Sequence, residues 1–217
     1  MSRQVQMLFS DTLAAATRPN ADTAHAALIT DINLQFLLLL REQAASDTPI
    51  AALPQALAEL RPVWASLNNE CATRLAACPY VLIDPCFDDI PHWSRGNTPQ
   101  VQDESPQWAT QLFSGARGLS LTRLLVTCGW HMAHSNPQLA ALTLGMPAAV
   151  GQVLRSTPLH RLDGLAEQAR RWFGMRWPRH TAIWRGLLSA ATTADAVLLR
   201  QVQLQGLQRL AGEALRA

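Results

Sequence analysis

Three side chains that could bind a soft metal ion lie close together in the second half of the sequence. Cys128 and His131 are one helical turn apart, and His134 lies one turn further on. Thiolate and imidazole groups on one helical face are typical zinc ligands. The segment supplies no fourth ligand, and a partly buried helix with two incidental histidines explains it as well. We favour the structural interpretation and predict neither a metal site nor a cofactor.

Carboxylates cluster at Asp84, Asp88 and Asp89. Paired carboxylates can serve in acid–base catalysis or bind hard metal ions. No basic residue or glycine-rich loop accompanies them, and helix capping explains them equally well. The sequence also has no nucleophile elbow, phosphate-binding loop or dinucleotide-binding fingerprint. We therefore predict that the protein has no catalytic residues and is not an enzyme.

The segment from residue 155 to residue 185 is rich in arginine, with seven arginines against Asp163 and Glu167. Arginine suits bidentate phosphate binding and neutralises a nucleic-acid backbone whatever its sequence. Tryptophans and histidines are interleaved with these arginines. A solvated face with tryptophans as core anchors is the alternative. The candidate DNA-binding residues are Arg170, Arg171, Arg176, Arg179 and Arg185.

Charge is distributed unequally along the 217 residues, although the net charge is only +2. Residues 1–119 contain 7 arginines and 12 acidic residues, whereas residues 120–217 contain 11 arginines and 4 acidic residues. Such a split fits an anionic partner such as duplex DNA, attraction between the two halves, or a homo-oligomer formed with a second copy.

Composition indicates a folded protein of the cytoplasm. Apolar residues make up 48% of the chain and charged residues 16%, which favours a large core. The four cysteines show no CxxC spacing, so reduced thiols are expected. The strongest apolar run, Leu34 to Leu40, is interrupted by Gln35 and is shorter than the ~20 residues that a membrane span needs. We expect no contact with a membrane.

Helical spacing of apolar residues dominates the chain. A helix is predicted from Asp22 or Thr23 to about Ala45, and another from Leu119 to Ala133, ended by Asn136-Pro137. Residues 80–83 form the single extended piece. Residues 94–106 are predicted to be the longest loop, and residues 1–20 a short helix.

An internal repeat underlies this pattern, with an offset near 90 residues. Leu75-Ala76 and Trp93 in the first half match Leu165-Ala166 and Trp184 in the second. Trp177 likewise matches Phe87. We predict an N-terminal extension at 1–27, an acidic helical repeat at 28–118 and a basic helical repeat at 119–217.

Both halves resemble the FlhD family, the small helical subunit of the bacterial flagellar master transcriptional activator. Asp31 to Leu34 followed by Phe36 to Leu39 is similar to the first FlhD helix. Leu144 to Met146, Leu165 to Glu167 and Arg176-Trp177 are similar to its middle region. FlhD is a single module that forms dimers, whereas this chain carries two modules.

The resemblance implies an all-α fold in which two FlhD-like modules pack as a pseudo-dimer within one chain. It also implies a transcription regulator that acts with an FlhC-like partner. The paired cysteines by which FlhC holds zinc are absent from this sequence. The predicted module-interface residues are Leu34, Leu37, Leu124 and Leu125. The predicted core comprises Leu34, Phe36, Leu37, Leu124, Leu125, Leu154, Leu162 and Leu165.

A second function stays open from the sequence alone. A helical adaptor or chaperone for a motility or secretion system would keep the same fold without binding DNA. An exposed apolar groove would favour that function, whereas steeply salt-dependent DNA binding would favour the regulator.

Overall fold

The computed structural model describes residues 21–47, 53–94 and 112–214, and regular structure in these ranges is almost entirely helical. The helices are α1 (Ala21–Ala45), α2 (Gln55–Glu59), α3 (Arg61–Ala65), α4 (Asn69–Ala76), α5 (Ile90–Ser94), α6 (Ala116–Ser135), α7 (Pro137–Leu144), α8 (Ala148–Ser156), α9 (Leu162–Ala169), α10 (Thr181–Thr193) and α11 (Ala196–Ala214). A 3₁₀ turn covers Leu159–Arg161, and two short strands are β1 (Ile83–Asp84) and β2 (Gly174–Met175). The all-α class is confirmed.

Polar caps and prolines end several of these helices where the sequence predicts. Asn136 follows α6, and its side chain accepts a 3.0 Å hydrogen bond from the Leu139 backbone N–H at the start of α7. Pro137 occupies the first turn of α7, where a missing N–H costs nothing. Gly145 ends α7 with φ of 67°, a left-handed conformation that favours glycine.

Helix α1 is the longest of the described helices and contributes a buried face that includes Ile32, Phe36 and Leu40. Its segment Thr23–Ala45 is long and apolar enough, by length and composition, to cross a membrane. A helix at the centre of a folded core has the same composition. Here residues along α1 pack against α3, α4 and α6. The sequence analysis expected no segment of membrane-spanning length, because it counted only the run from Leu34 to Leu40 and not the residues on either side of it.

The two long helices, α1 and α6, lie side by side and run in opposite directions. At one end, Arg117 near the start of α6 forms a 2.5 Å ion pair with Glu42 near the end of α1. At the other end, the rings of His25 and His131 have centroids 5.5 Å apart. Interpolation between these contacts places Leu34 opposite Leu124, midway along the pair.

The two strands join segments that are far apart in sequence. Ile83 pairs with Met175 and Asp84 with Gly174 in an antiparallel ladder. Two residues after each strand the chain enters the left-handed region, at Cys86 and at Trp177, each with φ of 51°.

A tryptophan indole then binds a backbone carbonyl of each of these turns. Trp93 Nε1 donates to the Cys86 carbonyl at 3.1 Å, and Trp184 Nε1 donates to the Arg176 carbonyl at 2.9 Å. The two turns are therefore alike in backbone conformation and in the side chain that anchors them.

Helices from different halves of the chain pack against each other. Helix α10 contacts α2 and α4, while α5 contacts α8. Trp64 on α3 meets Trp184 on α10 with ring centroids 5.3 Å apart, and Phe36 on α1 stacks with Phe113 at 6.3 Å. The buried apolar side chains form one continuous core.

Most of the predicted core is buried. Phe36, Leu37, Leu125, Leu154 and Leu162 are at most 5% exposed. The other three predicted core residues, Leu34, Leu124 and Leu165, are half-buried and pack against the same core.

The predicted boundaries at residues 28 and 119 fall inside α1 and α6. No glycine or proline interrupts the chain between Ala21 and Leu28, so α1 extends through the first boundary. The short helix predicted in residues 1–20 and residues 95–106 of the predicted loop lie outside the described residues.

Candidate functional site

Arg176, one of the five candidate DNA-binding arginines, lies in the interior and is 5% exposed. Its Nε donates to the Val81 carbonyl at 2.9 Å, and its Nη2 donates to the Leu144 carbonyl at 3.0 Å. The guanidinium therefore joins β1, β2 and the end of α7. A DNA phosphate has no access to a side chain in this position, and Arg176 is removed from the set of candidate phosphate contacts.

Burial governs the electrostatics around Arg176. Desolvation lowers the pKa of its guanidinium, and the carboxylates of Asp84 and Glu213 oppose that effect. Burial likewise raises the pKa of the Asp84 carboxyl, while Arg176 acts in the opposite direction. Each group thus stabilises the charge of the other inside the protein.

The other four candidate arginines do not form one cluster. Arg170 is half-buried, donates to the Ser114 carbonyl at 3.2 Å and forms a 2.6 Å ion pair with Glu167. Arg171, Arg179 and Arg185 are exposed. A hydrogen bond from Gln55 lowers the pKa of the Glu59 carboxyl. The positive charge of Arg185, the only one of the three that acts on this carboxyl, lowers it further by a smaller amount.

A broader set of arginines emerges from the structure, which we name the open arginines. Their side chains are exposed and form no hydrogen bond or ion pair with any residue that the structure describes. They occur on α8, the 3₁₀ turn, α10, α11 and the segments that follow α9 and β2. The open arginines are Arg155, Arg161, Arg171, Arg179, Arg185 and Arg200.

The four acidic residues of positions 120–217 are all engaged elsewhere. Asp163 forms a 2.5 Å ion pair with Arg123, and Glu167 pairs with Arg170. Glu213 pairs with Arg209 at 3.1 Å. The side chain of Asp195 caps α11 by accepting hydrogen bonds from backbone N–H groups at its start. Among the described residues of this half, the open arginines are therefore the exposed arginines that no ion pair neutralises.

The tryptophans of the basic segment are not available for stacking on exposed bases. Trp184 is fully buried and Trp177 is 5% exposed, as the core-anchor interpretation predicts. Trp172 is half-buried against His92, with ring centroids 4.8 Å apart.

A pocket of about 370 Å³ opens between the segments that follow β1 and β2. The turn between α7 and α8 and the end of α11 complete its wall. Arg209 donates through Nη2 to His180 Nε2 at 2.6 Å and through Nε to Glu213 at 3.1 Å. Trp177 Nε1 also donates to Glu213, at 3.2 Å. The charged side chains in the wall are Asp84, Asp88, Arg176, Arg179, Arg209 and Glu213.

The cysteine and histidines of α6 do not converge. Cys128 is buried beside Met132, whereas the His134 ring faces the Trp130 carbonyl at 2.8 Å. His131 instead contacts His25. Among the described residues no group of three or more histidine, cysteine or acidic side chains could hold a metal ion.

Three of the four cysteines are poor nucleophiles in this setting. Burial raises the pKa of the Cys78 thiol and of the Cys128 thiol to about 12, which keeps both protonated at neutral pH. Burial also raises the pKa of Cys86.

The carboxylate cluster after β1 has local roles. Asp84 accepts a 3.0 Å hydrogen bond from the Cys86 backbone N–H. Asp89 pairs with His92 one turn further on. Asp88 is exposed and lies in the wall of the pocket.

Comparison with protein-family models, curated proteins and solved structures finds no match for this chain.

Proposed function

We propose that this protein is an FlhD-like bacterial transcription regulator, or a subunit of one, that binds duplex DNA through its open arginines. One observation carries the proposal: the second half has six exposed arginines that form no hydrogen bond or ion pair with the described residues, while its four acidic residues are all engaged. Unpaired guanidinium groups can neutralise phosphates without first breaking an internal ion pair.

The proposed architecture is a pseudo-dimer of two FlhD-like modules in one chain. In the described residues each half has a long helix, shorter helices, a strand and then a helix, α5 in the first half and α10 in the second, which α11 follows. The antiparallel pairing of β1 with β2, and the left-handed turns that follow both strands, support an approximate twofold relation between the halves. The midpoint of the α1–α6 pair, near Leu34 and Leu124, supports those residues as part of the module interface.

The resemblance to FlhD also supports a cytoplasmic location and an FlhC-like protein partner. In such a complex the open arginines would supply part of the phosphate contact and the partner the remainder. The DNA titration is therefore done both with the purified chain alone and with an FlhC-like protein added.

The test uses three variants that each remove two positive charges. Arg155→Gln with Arg161→Gln removes open arginines near α8, and Arg179→Gln with Arg185→Gln removes those near α10. The matched control, Arg117→Gln with Arg123→Gln, removes two exposed arginines that already have acidic partners. Binding to a fluorescent duplex is followed by anisotropy between low and moderate salt.

We expect one or both open-arginine variants to bind more weakly to every duplex sequence. Each lost phosphate contact should flatten the slope of log affinity against log salt by about one unit. The control should keep most of the wild-type slope. The DNA-binding proposal is contradicted if the wild-type chain binds no duplex with or without the partner, or if the control loses as much as the other variants.

An adaptor or chaperone role is the second candidate, and the outer face of α11 favours it. Val197 and Leu204, seven residues apart on that helix, are 79% and 52% exposed. Apolar side chains at this spacing lie on one helical face and suit a partner helix. Indifference to DNA at low salt would make this role the better one.

A further inference from the structure

The pocket between the segments that follow β1 and β2 has features of a small-molecule site. Its volume of about 370 Å³ lies in the range of pockets that hold small ligands. We propose that it binds a small zwitterion, specifically an α-amino acid with an apolar side chain. This proposal does not rest on DNA binding, although one of its residues, Arg179, is also an open arginine.

Two charged side chains of the pocket wall form no hydrogen bond or ion pair with the described residues, and they have opposite sign. Asp88 follows β1 and Arg179 follows β2, so the two belong to different halves of the chain. Both are exposed, and neither forms a side-chain hydrogen bond or ion pair there. A ligand that carries one ammonium and one carboxylate group would satisfy both charges at once.

Arg176 supplies a fixed donor at the buried end of the pocket. Its guanidinium has five N–H groups, and the described contacts of Nε and Nη2 account for two of them. Nη1 lies beside Gly145, where an added Cβ would come within 3.1 Å of it. The glycine thus leaves room at the guanidinium, and we place the ligand carboxylate between Arg176 and Arg179.

Apolar side chains complete the wall and define the class of amino acid. Phe87, Leu144 and Leu210 back the wall and are at most 3% exposed, while the rings of Pro147 and Pro178 are half-buried and present apolar surface to the pocket. Such surfaces gain from contact with an aliphatic or aromatic side chain rather than a charged one. Asp84, beside Arg176, adds a negative charge to the wall, and we propose that this charge attracts the ammonium group of the ligand.

The experiment is isothermal titration of the full chain, without DNA, with L-leucine and L-phenylalanine. Three further titrants dissect the ligand: N-acetyl-L-leucine lacks the ammonium, L-leucinamide lacks the carboxylate, and glycine lacks the apolar side chain. Asp88→Asn and Arg179→Gln test the two unpaired charges. Asp31→Asn and Arg117→Gln are charge-matched controls, because both residues are exposed and lie outside the pocket wall.

We expect leucine or phenylalanine to bind, with each of the three dissecting titrants at least about tenfold weaker. Asp88→Asn and Arg179→Gln should weaken binding by a similar factor, while both controls bind as the wild-type chain does. The proposal is overturned if neither amino acid binds at about 10 mM. It is equally overturned if N-acetyl-L-leucine binds as tightly as leucine, which would indicate a plain anion site, or if both pocket variants bind normally.

Discussion

Asn33 is a polar residue at the centre of the apolar helix α1. Its side chain forms hydrogen bonds with backbone groups of the segment before β1 that have no partner in a helix or strand. Its amide nitrogen donates to the carbonyls of Ala76 and Tyr80 at 3.2 and 2.8 Å. Its amide oxygen accepts from the Leu82 backbone N–H at 2.8 Å. Buried backbone groups need such partners, since an unpaired one costs about 1–3 kcal/mol. Asn33 therefore fixes the approach to β1 against α1.

Asn33→Ala should lower the free energy of unfolding by about 3 kcal/mol, because it leaves several buried backbone groups without a partner. Urea denaturation followed by circular dichroism measures this change. Gln35→Ala is the control in the same helix, since its amide contacts only the exposed Asp31 side chain. A loss at position 33 no larger than at position 35 would contradict the role of Asn33.

Leu162→Ala should destabilise the protein by about 2–5 kcal/mol, because Leu162 is 5% exposed and its removal leaves a cavity. Leu159, three residues earlier in the 3₁₀ turn, is 65% exposed and serves as the matched control. Leu159→Ala should change stability by less than about 0.5 kcal/mol. Thermal unfolding of both variants tests the difference, and equal melting temperatures would refute it.

Structural features that depend on neighbouring residues could be predicted from the sequence, whereas contacts between residues distant in the chain could not. The break at Asn136-Pro137 was predictable because a cap and a proline act within one turn. The burial of Arg176 was not, because its acceptors are the backbone carbonyls of Val81 and Leu144, which every residue type possesses. The sequence repeat aligned Trp177 with Phe87. In the structure the equivalent residues are Trp177 and Cys86, because each is the left-handed residue of the turn that follows its strand.

Helix α11 approaches two buried aromatic rings closely where a glycine permits it. On α11, Gly206 packs against the hydroxyl of Tyr80 and the ring of Trp177. A Cβ at that position would come within 2.5 Å of Tyr80 Cζ and 3.0 Å of Trp177 Cη2. Because both rings are buried and contact each other at 5.6 Å between centroids, neither can move aside easily. The contact sets how α11 lies against the residues that flank the two strands.

Gly206→Ala should therefore destabilise the protein by about 1–3 kcal/mol, although alanine is the better helix former. Gly164→Ala on α9 is the matched control, since nothing lies within 4 Å of its added Cβ. That variant should gain up to about 1 kcal/mol from helix propensity. Denaturation midpoints of the two variants should move in opposite directions, and a stabilised Gly206→Ala would show that α11 does not dock as described.

At the scale of the whole molecule, the two halves complete each other. Helix α10 lies against α2 and α4, and α5 lies against α8. Fragments 1–111 and 112–217 each lack helices that cover their apolar surface. We expect neither fragment alone to unfold cooperatively, while an equimolar mixture regains helical content and migrates as a one-to-one complex in size exclusion.

A control mixture carries Trp184→Ala in the second fragment. It removes the ring that packs on Trp64 and should weaken the reassembly strongly. The interdependence of the halves would be disproved if either fragment alone matched the stability of the intact chain.

The packing of α10 on the first half also sets a delay during synthesis. Helix α5 ends at Ser94, but α10 ends only at Thr193, so roughly 100 further residues must be translated before α10 covers α2 and α4. At a translation rate of roughly 5–20 residues per second, Trp64 and its apolar neighbours stay uncovered for about 5–20 s during synthesis. Slow codons placed between residues 112 and 193 would prolong this wait and increase aggregation of the nascent chain. Ribosome-associated chaperones that shield apolar segments would relieve it.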